Sequence, residues 1–407
     1  MREPMPGAAA GALNPRPRGR VATHMPHRLA IALAVLACAP LPACGGAGPA
    51  PRPSLDELLD GVMLPAIGDD PADLARCPGA VVAAITPVGA IVRGYGTLAT
   101  ADAADRLLQV GSISKLYTAL GFARLVARGE LSATDLARAH FADDLAAALA
   151  PATFTLADLA THHAGLPDMP ANLVDRDGDG TRDPGADPLS PAAGYARLDL
   201  AHALAADPPG AAAGYRYSNL GVGLLGLALA DQLGTASHHA VLRALVADAL
   251  GMSDTWGQVA ALDAAAIARV APGLAVNGGR RVAGRLAQMG VLAGAGEVVT
   301  SGDDLVHLLA ALTGNVTSAL DDAIELALAS HATGPSAAID LGYAFEIERL
   351  PDGARYTKGG ATASYTAYLA FRRTPAEGAV ILSPCGGFSA VRDLALALDE
   401  QLAARSR

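Results

Sequence analysis

QVGSISKLY, residues 109–117, carries one of the two lysines in this chain of 407 residues. The other lysine is Lys358, and every remaining basic residue except histidine is arginine. Arginine stays protonated in proteins, whereas the pKa of a lysine amine falls when it is buried, so only lysine can accept a proton near neutral pH. The retention of Lys115 and Lys358 in an arginine-rich chain therefore indicates that both have chemical roles.

The same stretch predicts the start of a helix. Apolar residues follow at helical spacing from position 113 to position 120, and Gly129 would end the helix after about four turns. Ser112 and Lys115 would then project from one face of the first turn. Because a serine hydroxyl becomes a nucleophile when a neighbouring base removes its proton, we interpret Ser112 as a candidate nucleophile and Lys115 as its base.

Composition sets broad limits on the fold and on the partners. With 51% hydrophobic residues, the chain can bury the core of one large two-lobed domain or of two ordinary domains. The formal net charge is −10, and basic residues cluster only within the first 28 positions. This charge distribution argues against a nucleic-acid partner.

Residues 1–43 are a predicted targeting segment. From Met25 the sequence reads MPHRLAIALAVLACAPLPAC, whose apolar run is too short for a lasting membrane helix. Its end resembles a bacterial lipobox, which predicts lipidation of Cys44 and a periplasmic or cell-envelope protein held at the membrane only by acyl chains. Pro42 is unusual in a lipobox, so secretory cleavage without a lipid is the alternative. Residues 1–24 are interpreted as an extension ahead of a start at Met25.

A linker at residues 44–53 leads into a predicted single domain, residues 54–407. Ser54 and Glu57 form a capping-box pattern at the start of a helix. β-Rich runs occur near both ends of the chain, and the middle is mainly helical. The predicted strands and the closing helix are at 79–87, 89–96, 343–350, 366–373, 379–383 and 389–404. We therefore expect an α/β (α+β) fold, with one lobe from about 54–150 and 295–407 and an inserted helical lobe at about 151–294.

Two further motifs complete a pattern. Tyr217-Ser218-Asn219 precedes an apolar helix, and Lys358-Gly359-Gly360 lies between a short strand and a strand edge. In this order, Ser-x-x-Lys, Tyr-Ser-Asn and Lys-x-Gly resemble the active-site motifs of the penicillin-recognising serine hydrolases. The Tyr-x-Asn form is similar to the branch that holds class C β-lactamases, D-alanyl-D-alanine carboxypeptidases, D-aminopeptidases and related esterases. The resemblance extends over about residues 60–400 and includes TLADLATHHAGLPD and GEVVTSGDDLVHLL.

The resemblance implies a β-lactamase/transpeptidase-like fold, with an antiparallel sheet of five strands, flanking helices and an inserted all-helical lobe. It also implies a cofactor-independent reaction on a small-molecule or peptide substrate. Ser112 would form an acyl-enzyme after Lys115 takes its proton. Tyr217, with a phenol pKa lowered by flanking ammonium groups, would pass a proton to the leaving group and later activate water.

The remaining site roles also follow from the resemblance. Asn219 would hydrogen-bond Lys115 or the substrate amide. Lys358 would supply positive potential for a substrate carboxylate. The backbone N–H groups of Ser112 and Ala361, the latter just after Gly359-Gly360, would form an oxyanion hole.

Gly359 departs from the family pattern, in which threonine or serine occupies the middle position and binds the substrate carboxylate. The lost hydrogen bond to a charged acceptor is worth about 1.5–3 kcal/mol, which favours peptidase or esterase action over strong β-lactamase activity. The alternative is a binding module for penicillin or cell-wall peptide that has no turnover, although a dead site would not need two lysines.

Adjacent His162 and His163 could suggest a catalytic triad or a metal pair. Neighbouring residues point in different directions, and no third ligand follows at metal spacing. We interpret both as structural residues that hold the loop before Gly165-Leu166-Pro167.

An acidic segment after this loop has calcium-loop spacing. Asp175, Asp177, Asp179 and Asp183 are placed as oxygen ligands, although Ala186 stands where a full EF-hand loop has a bidentate glutamate. A weak calcium site is one interpretation, and a solvated acidic turn is the other.

Cys77 and Cys385 are the two cysteines of the predicted mature domain, since Cys38 and Cys44 lie in or at the end of the targeting segment. In the fold that the resemblance implies, the first and last strands are antiparallel neighbours, and these cysteines flank them. The resemblance therefore implies a Cys77–Cys385 disulfide, with two buried free thiols as the alternative.

Overall fold

Strands lie towards both ends of the chain, and most of the helices lie between them. The computed structural model describes residues 52–176 and 187–406. The helices are α1 (Leu55–Met63), α2 (Ser114–Ala127), α3 (Asp143–Ala148), α4 (Leu156–Ala160), α5 (Arg197–Ala206), α6 (Asn219–Gln232), α7 (His238–Leu242), α8 (Ala264–Arg269), α9 (Gly302–Thr313), α10 (Asp321–Leu328) and α11 (Val391–Ser406). The strands are β1 (Gly79–Thr86), β2 (Gly89–Gly96), β3 (Leu107–Gln109), β4 (Thr255–Trp256), β5 (Leu274–Asn277), β6 (Arg280–Ala283), β7 (Val299–Ser301), β8 (Ala332–Thr333), β9 (Ile339–Leu341), β10 (Glu346–Leu350), β11 (Gly353–Ala361), β12 (Thr366–Arg373) and β13 (Ala376–Ser383).

The main sheet is antiparallel and joins the two ends of the domain. Over the described residues its strand order is β2-β1-β13-β12-β11-β10-β9-β8. The first five strands in this order are long, as expected for the fold class, and the short strands β10, β9 and β8 extend one side. The expected pairing of β1 with β13 is confirmed, with Val81 opposite Leu382. The structure contains a disulfide between Cys77 and Cys385, whose Cα atoms are 6.1 Å apart.

Both faces of the sheet are covered by helices. On β1, Val81 and Ala83 face a large core that includes α2, α6 and α9, whereas Ala80 and Val82 face a second core against α1 and α11. All four side chains are fully buried. This two-sided burial explains why β1 is an uninterrupted apolar run and not an alternating one.

Several local predictions are confirmed. Ser54 caps α1, with reciprocal hydrogen bonds between Ser54 and Glu57. The hairpin β1–β2 and the closing helix α11 lie where the sequence predicts them, within two or three residues. Helix α2 ends before Gly129, which has a positive φ of 70°.

Two local predictions are wrong. The strand expected from position 343 begins only at Glu346, because Ala344 has a left-handed φ of 63° and interrupts the extended backbone. The inserted lobe expected at about 151–294 is not all-helical, because it contains β4 and the hairpin β5–β6, and β4 joins β3 and β7 in a sheet of order β3-β7-β4. Short strands such as β4 and β7 lack the length that makes a strand recognisable in sequence.

Some predicted features lie outside the described residues. These are the targeting segment with Cys38 and Cys44, and the acidic residues Asp177, Asp179 and Asp183. Within residues 52–176 and 187–406, no helix has the length and apolar character needed to cross a membrane.

Candidate active site

Ser112 lies in a tight turn that leads into α2. The turn, Gly111–Ile113, is a 3₁₀ helix, and Gly111 has a left-handed φ of 53°. A Cβ atom on Gly111 would lie 2.5 Å from the backbone nitrogen of Ala361, and a Cβ on Gly360 would lie 2.0 Å from the carbonyl oxygen of Val110. Glycine at both positions therefore lets the end of β11 approach the backbone of the Ser112 turn.

Lys115 is fully buried in the first turn of α2. Its Nζ atom lies 3.0 Å from Ser112 Oγ, 2.6 Å from Asn219 Oδ1 and 2.6 Å from the carbonyl oxygen of Ala295. A neutral amine has two N–H donors and one lone pair. Since the amide and carbonyl oxygens can only accept, the Ser112 hydroxyl is the partner among these three that can donate to the lone pair.

The surroundings of Lys115 favour this neutral form. Burial lowers the pKa of its amine well below the ordinary value, and the ammonium of Lys358 lowers it further, against a smaller opposing effect of Asp168. The pKa of Lys358 is itself lowered by burial. The pKa values of both lysines are thus lowered, as expected from the sequence for amines with chemical roles.

Tyr217 places its phenol hydroxyl at Ser112 Oγ. The Tyr217 hydroxyl donates to Ser112 Oγ over 2.6 Å, and the Nζ atoms of Lys115 and Lys358 lie 5.0 and 5.5 Å from the centre of its ring. The expected lowering of the phenol pKa is wrong. Burial raises the pKa of Tyr217, and the opposing hydrogen bond with Ser112 is a smaller effect.

The segment Gly165-Leu166-Pro167-Asp168 holds the Tyr-Ser-Asn motif. Ser218 caps α6 and donates through Oγ to the carbonyl oxygen of Pro167 over 2.6 Å. Asn219 donates through Nδ2 to Asp168 Oδ1 over 2.8 Å, which directs its own Oδ1 to Lys115. Of the two roles expected for Asn219, the resting structure has the contact with Lys115.

Lys358 and Gly359 lie within β11. The expectation that they lie between a short strand and a strand edge is wrong in part, since β11 continues from Gly353 to Ala361. Partner strand β10 pairs only as far as Thr357, so the following residues have β12 on one side and the Ser112 turn on the other. The Lys358 side chain is buried, with 4% exposed.

A cleft of about 470 Å³ opens beside Ser112. Tyr368 lies directly opposite Gly359 on β12, and its ring carbons would be 3.1 Å from a Cβ atom at position 359. The Tyr368 phenol therefore fills the space beside Gly359 and raises the pKa of neighbouring Arg392. The cleft is lined by Ser112, Tyr217, Glu346, Lys358, Gly359, Gly360, Ala361, Thr366, Ala367, Tyr368, Val391 and Arg392.

A sequence profile described as Beta-lactamase matches residues 70–402, most of the chain. The chain belongs to the beta-lactamase family. This confirms the family that its motifs resemble, and the fold expected from them. Among curated protein sequences, none matches this chain.

Solved structures with similar folds come from several bacteria. A class C beta lactamase from Rhodobacter sphaeroides has 19% sequence identity and a TM-score of 0.66, covering 86% of this chain and 99% of its own. A beta-lactamase from Sulfitobacter sp. EE-36 has 20% identity and a TM-score of 0.67, covering 86% and 96%. The D-alanine carboxypeptidase AmpC from Burkholderia cenocepacia has 21% identity and a TM-score of 0.66, covering 86% and 98%. At these identities the similarity establishes the fold.

Some residues of this beta-lactamase family site were not predicted from the sequence. Asp168 could have been suspected, because it ends the recognised GLPD segment. Tyr368 and Arg392 come from β12 and the start of α11, where nothing in the local pattern distinguishes them from packing residues. The Ala295 carbonyl has no side-chain signal at all.

The groups around Ser112 and Lys115 in this site are side chains and backbone groups. No group of three or more His, Cys, Asp or Glu side chains that could hold a metal is present in the described ranges. Of the four predicted calcium ligands, only Asp175 lies within those ranges. Calcium binding stays a prediction.

Proposed function

We propose that the protein is a serine hydrolase that forms an acyl-enzyme at Ser112. The observation that carries the proposal is the arrangement around Ser112 Oγ, with Lys115 Nζ at 3.0 Å and the Tyr217 hydroxyl at 2.6 Å. Membership of the beta-lactamase family supports the same conclusion.

Acylation follows from the two protonation states. The neutral Lys115 amine accepts the Ser112 proton while Oγ attacks the substrate carbonyl. The backbone N–H groups of Ser112 and Ala361 are the proposed donors to the developing oxyanion, at the place where the two backbones approach. Tyr217 remains protonated because its pKa is raised, and it donates its proton to the leaving nitrogen or oxygen.

Deacylation uses the same groups in the reverse sense. The Lys115 ammonium passes the proton that it took from Ser112 to the Tyr217 phenolate, which restores the neutral amine and the protonated phenol. Water then attacks the acyl carbonyl while the Lys115 amine accepts its proton, and that proton passes to Ser112 Oγ as the bond between Oγ and the acyl carbon breaks. The reaction needs no cofactor, because residues of the site supply the base, the acid and the oxyanion donors.

The proposed substrates are small esters or D-amino-acid peptides, ahead of β-lactams. At position 359 no side-chain hydroxyl is available for a substrate carboxylate, and Tyr368 occupies the adjoining space. The lost hydrogen bond to a charged acceptor is worth about 1.5–3 kcal/mol. Lys358 still offers positive charge at the cleft wall, so a carboxylate is disfavoured but not repelled.

Covalent labelling tests the proposal against a binding module without turnover. A fluorophosphonate and a fluorescent penicillin are each reacted with the wild type and with Ser112→Ala. We expect labelling only in the wild type, and release of the acyl label faster than a binder would allow, together with turnover of a short-chain ester. Equal labelling of Ser112→Ala would refute the nucleophile, and labelling without release or turnover would establish the binding module.

We also propose that the protein is exported and anchored through Cys44. The Cys77–Cys385 disulfide supports export, because disulfides persist in oxidising compartments. Incorporation of a labelled fatty acid by the wild type, and its loss in Cys44→Ser, is the expected result. A secreted wild type without the fatty acid would instead support simple cleavage.

A further inference from the structure

His162 has an unusual backbone conformation for its residue type. It lies just after α4 with a left-handed φ of 63°, and only 3% of it is exposed. Left-handed residues other than glycine are uncommon, and they persist where the surrounding contacts hold them. We therefore expect contacts around His162 that hold it in this conformation.

These contacts hold both neighbours of Tyr217. The carbonyl oxygen of His162 accepts from the backbone N–H of Arg216 over 2.9 Å. Its Nδ1 atom accepts from the backbone N–H of Ser218 over 3.2 Å. The imidazole also lies against the Tyr217 ring, with centroids 4.5 Å apart and planes tilted by 37°.

The hydrogen bond from Ser218 assigns the protonation of the ring. Since Nδ1 accepts a backbone N–H, the neutral imidazole of His162 carries its proton on Nε2. Burial, followed by the nearby lysine charges, lowers the imidazole pKa to about 2. His162 therefore stays neutral and cannot act as the base of Ser112.

Tyr217 needs such support because it precedes the cap of α6. The helix itself fixes Ser218 and Asn219, whereas the phenol must reach Ser112 Oγ from the loop outside the helix. Contacts before, after and on the face of Tyr217 restrict both its backbone and its ring.

We propose that His162 is a positioning residue that holds the Tyr217 phenol at its hydrogen bond with Ser112. The inference rests on the proposed function, in which that phenol is the proton donor. It assigns to His162 more than the loop-holding role expected from the sequence, since the imidazole then acts on the reaction through Tyr217.

The test isolates the ring contact. His162→Asn keeps an acceptor near the Nδ1 position and tolerates a left-handed backbone, but it removes the ring. His163→Asn is the matched control, because the rings of His162 and His163 both lie 6.1 Å from the Tyr215 ring, so the control accounts for loss of that contact. For hydrolysis of an uncharged alkyl ester, whose alkoxide leaving group needs a proton, we expect His162→Asn to lower kcat by about 10- to 100-fold with little change in KM, as for a misplaced catalytic group. The kcat of His163→Asn should stay within about threefold of the wild-type value, because this substitution leaves the contacts between His162 and Tyr217 in place.

A double-mutant cycle between positions 162 and 217 decides whether His162 acts through Tyr217. In a Tyr217→Phe background, His162→Asn should change kcat by less than about twofold, since the group that it positions is gone. An unchanged kcat in His162→Asn, or an equal loss with and without the Tyr217 hydroxyl, would overturn the inference. His162→Gly, which also accepts the left-handed backbone, is put through the same cycle if thermal unfolding shows that the asparagine variant does not fold.

The control variants separate this inference from the proposed function. Absence of fluorophosphonate labelling in Ser112→Ala and slow hydrolysis by Tyr217→Phe would support the proposed function whatever His162 does. With both of these observed, a missing coupling between positions 162 and 217 refutes the positioning role alone. Labelling of Ser112→Ala would instead refute the reaction on which the inference rests.

Discussion

Burial acts in opposite directions on the two groups beside Ser112. It destabilises the charged form of each, so the Lys115 pKa falls and the Tyr217 pKa rises. Both shifts therefore favour a neutral amine beside a protonated phenol. This difference assigns the base and the acid of the proposed reaction.

Replacing each lysine by arginine should separate the two amines. Lys115→Arg should lower the acylation rate by about 10²–10⁴-fold, since arginine cannot accept the Ser112 proton. Lys358→Arg should retain acylation by an uncharged fluorophosphonate and mainly raise KM for carboxylate substrates. Rates of labelling, with thermal unfolding as the control for folding, give the comparison. Near wild-type acylation by Lys115→Arg would show that Lys115 is not the base.

The pH dependence of kcat/KM on an uncharged ester should show both shifts. The base works when it is neutral, so activity rises with pH through the lowered pKa of Lys115 and is lost below it. The acid works when it is protonated, so the alkaline loss should begin above the ordinary tyrosine pKa of about 10. Lys358→Met should move the acid limb to higher pH, because a charge that lowers the Lys115 pKa is removed. A shift to lower pH would contradict this electrostatic assignment.

For single residues, the sequence predicts which side chains form the site better than it predicts the directions of their pKa shifts. The scarcity of lysine and the spacing of Ser112 and Lys115 predict two neighbours that the structure places 3.0 Å apart. The predicted direction of the Tyr217 pKa shift is wrong, because this shift depends on burial by elements that are distant in sequence. The Ala295 carbonyl could not be predicted, since any residue type supplies a backbone oxygen.

At the scale of elements, α11 is joined to the sheet by a buried charge cluster. Arg355 on β11 and Arg372 on β12 lie directly opposite each other, and both donate to Asp399 on α11, which is fully buried. Two facing arginines repel each other, and Asp399 is the carboxylate that pairs with both of them, beside Glu348 at Arg355 and Asp352 at Arg372. Asp399 therefore fixes the position of the helix whose first turn brings Arg392 to the cleft.

Asp399→Asn should lower the free energy of unfolding by about 1.5–3 kcal/mol, because it removes the buried carboxylate that both arginines share and leaves Arg355 with Glu348 and Arg372 with Asp352. Asp340→Asn is a matched control, since Asp340 pairs with the exposed side chain of Arg349. Asp340→Asn should lower the free energy of unfolding by less than about 1 kcal/mol. Chemical denaturation of both variants measures the difference, and equal losses would mean that the buried cluster contributes no more than a surface pair.

Glu297 links the segments around the site in a way that depends on pH. Its carboxylate accepts from the backbone N–H groups of Val259 and Met289 over 2.8 and 2.7 Å. The segment that it fixes also bears Ala295, which holds Lys115, and Val298, which hydrogen-bonds Ser114 Oγ. Burial raises the Glu297 pKa to about 7.

This raised pKa predicts the direction of one stability change. The folded state binds the Glu297 proton more tightly than the unfolded state does, so its contribution to stability is present at low pH and is lost as pH rises through about 7. From pH 5 to pH 8, the wild type should lose on the order of 1–3 kcal/mol more unfolding free energy than Glu297→Gln. Denaturant titrations at the two pH values measure the difference. A wild type that gains stability over this range relative to the variant would contradict the assignment.

At the scale of the whole molecule, the disulfide ties the two ends of the domain across the central sheet. Cys77 and Cys385 flank β1 and β13 and are 308 positions apart in sequence. Bridges over long loops restrict the unfolded chain, with a typical contribution of about 2–4 kcal/mol.

Cys77→Ser/Cys385→Ser should therefore lower the unfolding free energy by about 2–4 kcal/mol. Reductant should destabilise the wild type by a similar amount and leave the double variant unchanged, which controls for effects of reductant elsewhere. Thiol titration of the denatured, unreduced domain should find neither cysteine reactive. Two reactive thiols would contradict the bridge.

The overall arrangement was predictable because distant parts of the chain carry independent signals. Three ordered motifs indicate the family, and the family implies that β1 and β13 are neighbours. The short strands β4 and β7 were missed because two or three residues carry no recognisable period. The position of Tyr368 beside Gly359 depends on the register between β11 and β12, which only the folded sheet shows.

The pairing of β1 with β13 also has a consequence for biosynthesis. About 290 residues separate these neighbouring strands, so the ribosome makes nearly the whole domain before the middle of the sheet can close. At roughly 5–20 residues per second, the β1–β2 hairpin waits for about 15–60 seconds with the backbone N–H and C=O groups on one edge of β1 unpaired. Such an edge is a template for pairing with other chains. Nascent-chain chaperones that shield this hairpin should therefore raise the yield of the protein more than its folded stability alone would indicate.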